Sequence, residues 1–152
     1  MNETELTALL ARLCDLRDEG TTVEFKSNLN QEHEIGEYIS ALANSALLAG
    51  HERAWVVWGV ADETHEVKGT TFDPFRQTVG NQALVMWLQH KTAPRADFEF
   101  HQLNHEIGTV IFLEIHPPRS APIAFDQTRY IRVDSHKTKL SQQGVGQNNS
   151  KA

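Results

Sequence analysis

The feature that most constrains this fold is a nearly continuous apolar run, Ala54-Trp55-Val56-Val57-Trp58-Gly59-Val60-Ala61. A strand that faces solvent on one side alternates apolar and polar residues, whereas a run this apolar is typical of a strand covered on both faces. Gly59 within the run predicts a bulge, or a close approach by another backbone or a ligand. The run therefore predicts a central strand, followed by a hairpin that begins at Asp62 and returns at Val67-Lys68-Gly69.

Apolar residues at helical spacing predict three helices around this strand. The first begins at Thr4 and ends at Gly20, the second covers residues 31–49, and the third covers residues 75–90. The predicted buried stripes are Leu6, Leu9, Leu10, Leu13 and Leu16 in the first helix, Ile35, Ile39, Leu42, Ala43 and Ala46 in the second, and Val79, Ala83, Met86, Trp87 and His90 in the third.

Further strands are expected at residues 22–27, 97–103, 109–116 and 130–133, with an edge strand at 122–125. In the strand 97–103 the alternation predicts one buried face, carrying Phe98, Phe100 and Gln102, and a polar face that carries Asp97, Glu99 and His101. Residues 134–139 are expected to turn away from the sheet. The length of 152 residues predicts one domain over residues 1–141, and the polar residues 142–152 are expected to be a disordered tail.

Composition narrows the class of protein. The acidic start lacks the features of a signal peptide, and no apolar segment reaches the roughly 18 residues of a membrane span. Cys14 is the single cysteine, which excludes an intrachain disulfide and a zinc site built from cysteines. These features predict a cytoplasmic protein with no membrane partner.

Charge is distributed unevenly along the chain. The net charge is −6, yet residues 119–139 contain five Lys or Arg against two Asp. Residues 1–118 contain eight Lys or Arg against 18 Asp or Glu. This asymmetry permits a basic patch on an acidic body.

A charged strand follows the first helix. In Val23-Glu24-Phe25-Lys26 the alternation places Glu24 and Lys26 on one face, while Val23 and Phe25 point into the core. Either this polar face takes part in chemistry, or it is only a solvated surface.

Three carboxylates are expected near strand termini, at Glu19, Glu24 and Asp62. Carboxylate clusters suit hard divalent cations such as Mg²⁺ or Mn²⁺, which activate water and neutralise charge on a scissile phosphate. Lys26 could then contact the phosphate. A helix between the two strands favours a parallel crossover, however, and a simple parallel register would put Glu24 and Asp62 toward opposite ends.

Four motifs in order resemble the Schlafen AlbA-like (AlbA_2) domain family over roughly residues 15–141. They are Val23-Glu24-Phe25-Lys26, Ile39-Ser40-Ala41-Leu42-Ala43-Asn44, Val57-Trp58-Gly59-Val60-Ala61-Asp62 with Val67-Lys68-Gly69, and Tyr130-Ile131-Arg132-Val133-Asp134-Ser135 with Thr138. The resemblance implies an α+β fold, in which one AlbA-like domain packs a mixed β-sheet against about three helices. It also implies nucleic-acid binding.

The resemblance further implies two alternative functions. In mammalian members an acidic triad cleaves structured RNA, including transfer RNA, with Mg²⁺ or Mn²⁺, and Glu19, Glu24 and Asp62 match its pattern. The chain would then be a metal-dependent endoribonuclease, with Lys26 beside the triad. In bacteria and archaea such domains commonly open transcriptional regulators, so the alternative is a non-catalytic RNA- or DNA-binding module.

Both functions predict contacts to the nucleic-acid backbone from a basic set that consists of Lys26, Arg129, Arg132, His136, Lys137 and Lys139. A homodimer or a flanking domain would complete a groove comparable to that of the two-lobed mammalian enzymes. The remaining interpretation is structural, with the acids forming a solvated rim that pairs with the basic turn.

Overall fold

The structure, a computed structural model, describes residues 1–15, 22–133 and 136–140. The predicted helix end at Gly20, the acid Glu19 and the predicted tail 142–152 lie outside these residues. The described part contains three helices and ten strands. They are α1 (Glu3–Cys14), β1 (Val23–Lys26), α2 (Glu32–Ala49), β2 (Ala54–Trp58), β3 (Thr78–Val79), β4 (Gln82–Ala83), α3 (Leu84–His90), β5 (Thr92–Ala93), β6 (Phe98–Asn104), β7 (Thr109–Ile115), β8 (Ala124–Phe125), β9 (Thr128–Val133) and β10 (His136–Lys139).

The main sheet has the strand order β1-β2-β7-β6. Strands β1 and β2 are parallel, whereas β2 pairs antiparallel with β7 and β7 pairs antiparallel with β6. The sheet is therefore mixed, and the expected α+β fold is confirmed. Every residue of β2 is buried, as the apolar run predicted.

Both faces of this sheet are covered because each helix contributes one apolar stripe. The leucines of α1 pack on one face, together with Trp55 and Val57 of β2. Helix α2 covers the opposite face, together with Val56 and Trp58. The alternation within β2 therefore divides the core into two layers.

Gly59 lies where three chain segments meet, and the predicted close approach is confirmed. Its φ is +99°, a conformation that favours glycine, and a Cβ added there would lie 2.9 Å from the carbonyl oxygen of Thr109. A Cβ added at Gly69 would lie 2.9 Å from the Cα of Gly108. The hairpin that carries Asp62 is thus held against the β6–β7 turn by backbone contact.

A second sheet, in the order β10-β9-β8-β5, packs against α2. Three buried polar residues of α2 bond its backbone. Ser40 Oγ donates to Ile123 O at 2.7 Å and accepts from Tyr130 N at 3.0 Å. Asn44 bonds Ile123 N and O and Tyr130 O at 2.8–3.0 Å, and Ser45 Oγ accepts from Arg132 N at 2.9 Å. These side chains stand where a neighbouring strand would otherwise pair.

Two predicted elements were wrong. The helix predicted over residues 75–90 begins only at Leu84, because Gly80, with a φ of +63°, forms the turn of a short hairpin between β3 and β4. Met86, predicted to lie in the core, is 51% exposed. The residues predicted to turn away after Val133 instead include β10, which returns antiparallel to β9.

A strand is present over most of residues 97–103, but the prediction that its His101 face is exposed was wrong. His101 is buried because α1 covers the face that carries it together with Leu103, whereas Gln102 is exposed.

Asn44→Ala is expected to lower the free energy of unfolding by roughly 2–5 kcal/mol. The substitution removes three hydrogen bonds and leaves Ile123 N and Tyr130 O to be buried without this partner, at about 1–3 kcal/mol for each group. Urea unfolding measures the change. Asn104→Ala, at an exposed site, is the control and should change stability by less than about 0.5 kcal/mol. Equal losses in the two variants would contradict this role of Asn44.

Candidate nucleic-acid interface

The polar face of β1 is a buried ion pair. Glu24 is only 4% exposed, and its Oε1 lies 2.8 Å from Nη2 of Arg132. Its Oε2 lies 3.2 Å from Nζ of Lys26 and accepts a long 3.5 Å hydrogen bond from the hydroxyl of Tyr38. Of the two interpretations of this face, the solvated surface does not hold for Glu24, because α2 and the β9–β10 hairpin cover it.

Arg132 is the residue through which the hairpin is attached to β1. Its side chain is fully buried, and Nη1 donates to the carbonyl of Val23 at 2.7 Å. Burial of both charges is tolerated because the guanidinium meets a carboxylate and a carbonyl, while its own backbone N–H bonds Ser45. Arg132 was predicted to contact the nucleic-acid backbone, but the arrangement leaves its guanidinium inside the protein.

Tyr38 of α2 lies between two cations. Lys26 Nζ is 5.0 Å and Lys137 Nζ is 4.1 Å from the centroid of its ring, distances at which an ammonium group is attracted to the ring face. Lys137 also bonds Glu37 at 2.9 Å and lies 3.6 Å from Glu34. The predicted residues Glu24, Lys26, Arg132 and Lys137 are thus brought together around one helix.

Burial and the charges in this cluster shift the pKa values of Lys26 and Tyr38. Burial would lower the pKa of Lys26, but interactions with Tyr38 and with the Glu24 carboxylate outweigh that effect and raise it. Burial also raises the pKa of the Tyr38 hydroxyl, and the Glu24 carboxylate adds to the effect although Lys26 opposes it. The cluster therefore holds Lys26 as an ammonium group and Tyr38 as a neutral phenol at neutral pH.

The remaining predicted cations lie on the outer surface of the hairpin. Arg129, His136 and Lys139 are exposed, and none of them forms an ion pair within residues 1–15, 22–133 and 136–140. Arg129 and Lys139 line one shallow cleft of about 300 Å³. An anion can therefore bind these three side chains without displacing a carboxylate.

The predicted metal-binding acids are not assembled within the described residues. Strands β1 and β2 pair in a simple parallel register in which Glu24 lies opposite Val56. Asp62 comes six residues after Val56 and is exposed, and Glu19 lies outside the described part. Of the groups of three metal-ligating side chains in the described part, none contains Glu24 or Asp62.

A different group of side chains could hold a metal ion. One ligand atom from each of Glu99, His101 and Glu114 lies within 4.8 Å of the others. His101 Nε2 and Arg53 Nε each lie 2.8 Å from a Glu114 oxygen. Burial would raise the pKa of Glu114, but its bonds to His101 and Arg53 outweigh this and lower it.

Sequence reasoning missed this group. The two glutamates become cross-strand neighbours only through the register that pairs Glu99 of β6 with Glu114 of β7. The residue pattern within one strand does not show which residue of the next strand lies opposite. His105, the next histidine along the chain, lies in the turn after β6, where its ring accepts a hydrogen bond from Ile107 N.

The fold and the Glu24–Arg132 pair define a class of protein. It is an α+β domain whose mixed sheet carries a helix on each face, with a hairpin docked by that buried ion pair. A family model described as Schlafen, AlbA_2 matches residues 19–141, most of the chain. The chain therefore belongs to the Schlafen AlbA_2 family, as the four motifs indicated.

Comparisons with other known proteins support the fold alone. The search of curated proteins gave no match. Among solved structures, the DIP2311 protein from Corynebacterium diphtheriae is similar, with a TM-score of 0.50 and 14% sequence identity over 90% of this chain. This chain spans only 26% of the length of that protein. Within the described part, none of the helices has the length and apolar character of a membrane span.

The Glu24–Arg132 pair should show strong coupling in a double-mutant cycle. Glu24→Gln and Arg132→Met are each expected to cost about 3–5 kcal/mol, because each removes one member of a buried ion pair. The double variant should cost less than the sum by roughly 1–3 kcal/mol. Urea unfolding of the four proteins measures the coupling.

The exposed pair Lys68–Glu66, at 3.3 Å, provides the matched control. Its coupling should stay below about 1 kcal/mol. Additive losses for Glu24 and Arg132 would show that their contact does not stabilise the docked hairpin.

Proposed function

We propose that this domain binds nucleic acid through the outer surface of the β9–β10 hairpin. The observation that carries the proposal is the contrast between two sets of cations. Arg132, Lys26 and Lys137 are engaged by Glu24, Glu34 or Glu37, whereas Arg129, His136 and Lys139 are exposed with no ion pair in the described part. Basic side chains without carboxylate partners bind phosphate at the lowest cost.

The buried cluster has a supporting role in this proposal. It holds the hairpin to β1 and α2, so that the exposed cations are presented from a fixed position. The side chains of Lys26 and Lys137 are 24% and 16% exposed, at the rim of the cluster. A phosphate would reach them only by competing with Glu24 and Glu37, so we assign them secondary contacts.

The proposed partner is structured RNA such as transfer RNA, with DNA as the alternative. One lobe offers a single basic surface, and a second copy or a flanking domain would turn that surface into a groove. Contacts made only to phosphate and sugar position a nucleic acid without reading its sequence.

Arg129→Gln with Lys139→Gln is expected to weaken binding of a transfer RNA about tenfold. Because each lost phosphate contact removes about 0.7–0.9 from the slope of log K against log salt, the slope should become shallower by roughly 1.4–1.8. Fluorescence anisotropy at several salt concentrations measures both quantities, with a DNA duplex of similar length in a parallel series.

Lys68→Gln with Arg76→Gln is the matched control, because it removes the same charge from exposed sites outside the hairpin. It should leave the affinity within about twofold. An equal loss in the control would mean that net charge alone governs binding and would refute a hairpin interface.

The second candidate is a Mg²⁺- or Mn²⁺-dependent endoribonuclease that uses Glu19, Glu24 and Asp62. The exposed carboxylate of Asp62 favours it, since this group has no ion pair in the parts of the chain described and is available to an ion. Glu24 does not fit the role as it stands, because Arg132 lies on one of its oxygens while Lys26 and Tyr38 lie on the other. We therefore rank cleavage below binding.

Asp62→Asn separates the two candidates without disturbing the fold. If the domain is a nuclease, this variant should lose cleavage of transfer RNA in Mn²⁺ by at least a hundredfold and keep its thermal midpoint. Glu63→Gln, at the next exposed acid, should remain active. Cleavage in wild type that Asp62→Asn does not change would remove the triad hypothesis, and binding without cleavage would identify a binding module.

A further inference from the structure

A second cleft lies away from the hairpin and shares no lining residue with the surface proposed above. Its volume is about 460 Å³, and it forms where the segment before β2, the β5–β6 connection and the segment after β7 meet. Three arginines of this acidic chain, Arg53, Arg95 and Arg119, line it together with His116.

The three arginines differ in whether they already form an ion pair with a carboxylate of the described residues. Arg53 is fixed, because its Nε lies 2.8 Å from Glu114 Oε2 and its Nη1 donates to the carbonyl of Glu52. Arg95 and Arg119 are exposed, and neither forms an ion pair with a carboxylate of the described residues. Two guanidinium groups that line the cleft are therefore available to an anion.

Two acids, Glu52 and Asp97, also line the cleft. The carboxylate of Asp97 lies 3.7 Å from Nδ1 of His116 and is not within ion-pair distance of Arg95 or Arg119. Glu52 likewise forms no ion pair with either of them. The planar fork of arginine suits the oxygens of a phosphate, to which it can donate two parallel hydrogen bonds.

The remaining lining is apolar except for Ser120. Pro94 and Pro117 supply accessible ring surface beside the arginines, whereas Pro118 and Ile123 are buried behind it. A flat aromatic base can pack on such a surface or on the plane of a guanidinium group. The cleft thus combines donors for a phosphate with a wall for a base, which is the chemistry of one nucleotide.

We propose that this cleft binds a single nucleotide unit, with its phosphate at Arg95 and Arg119 and its base against the rings of Pro94 and Pro117. The unit could come from a free nucleotide or from an unpaired position in a single strand. The second source rests on the proposed function, whereas the first does not.

Arg95→Gln with Arg119→Gln tests the cleft in the full chain. Three probes are titrated, namely adenosine 5′-monophosphate, inorganic phosphate and a five-nucleotide single-stranded RNA, with NMR shift changes and anisotropy as readouts. Wild type should bind the nucleotide more tightly than phosphate, with shifts at the cleft residues. The variant should weaken nucleotide or RNA binding at least tenfold and keep its thermal midpoint, since both side chains are exposed and unpaired in the described part.

Arg12→Gln with Arg76→Gln removes the same charge from exposed arginines outside the cleft and should change neither affinity by more than about twofold. Loss confined to the RNA assigns the unit to a nucleic acid, and loss confined to the nucleotide assigns it to a free ligand. Unchanged binding of both, or an equal loss in the control, overturns the proposal.

Failure of this inference is distinguishable from failure of the hairpin interface. Arg129→Gln with Lys139→Gln should leave nucleotide binding unchanged, because neither residue lines the cleft. If wild type binds no RNA, the hairpin proposal fails, and the nucleotide titration alone decides the cleft.

Discussion

Three small polar side chains in the middle of α2 determine how the two sheets are combined. Ser40, Asn44 and Ser45 are buried, and each bonds the backbone of β9 or of the segment before β8. A helix that was apolar all round would leave those backbone groups without partners, at a cost that packing alone does not recover. The second sheet is therefore docked by hydrogen bonds from a helix, which fix the backbone of β9 at Tyr130 and Arg132.

The docked hairpin reverses the usual relation between polarity and burial. In β9 the charged residue Arg132 points inward, while Val133 at the end of the strand is 53% exposed. The inward guanidinium is tolerated because Glu24 of β1 meets it. Arg129, His136 and Lys139 remain on the outer surface and form no ion pair in the described part. The buried Arg132 therefore has a structural role, and these three exposed cations do not share it.

The sequence predicted the parts of the fold that local pattern controls. The apolar run of β2, the stripe of α2, the part of the α1 stripe that the structure describes (Leu6 to Leu13) and the face of β1 that carries Glu24 and Lys26 were correct, because each depends on one period within one element. The partner of Glu24 was not predictable, since Arg132 reaches it through contacts made by α2. The Glu99–Glu114 pairing depends on strand register in the same way. The helix predicted over residues 75–83 was wrong because the helical spacing of the apolar residues continues across the turn at Gly80.

The backbone contact at Gly59, Gly69 and Gly108 bears on what a motif match means. Any side chain at Gly59 or Gly69 would meet a neighbouring main chain at 2.9 Å, so the glycine in each of these two motifs has a steric reason to be there. Those residues lie beside Asp62 in the stretch that identifies the family. Membership is therefore read largely from packing constraints, and a chain can satisfy them whatever its acids do. The chemistry of Asp62 does not follow from these glycine contacts, because its exposed carboxylate takes no part in them.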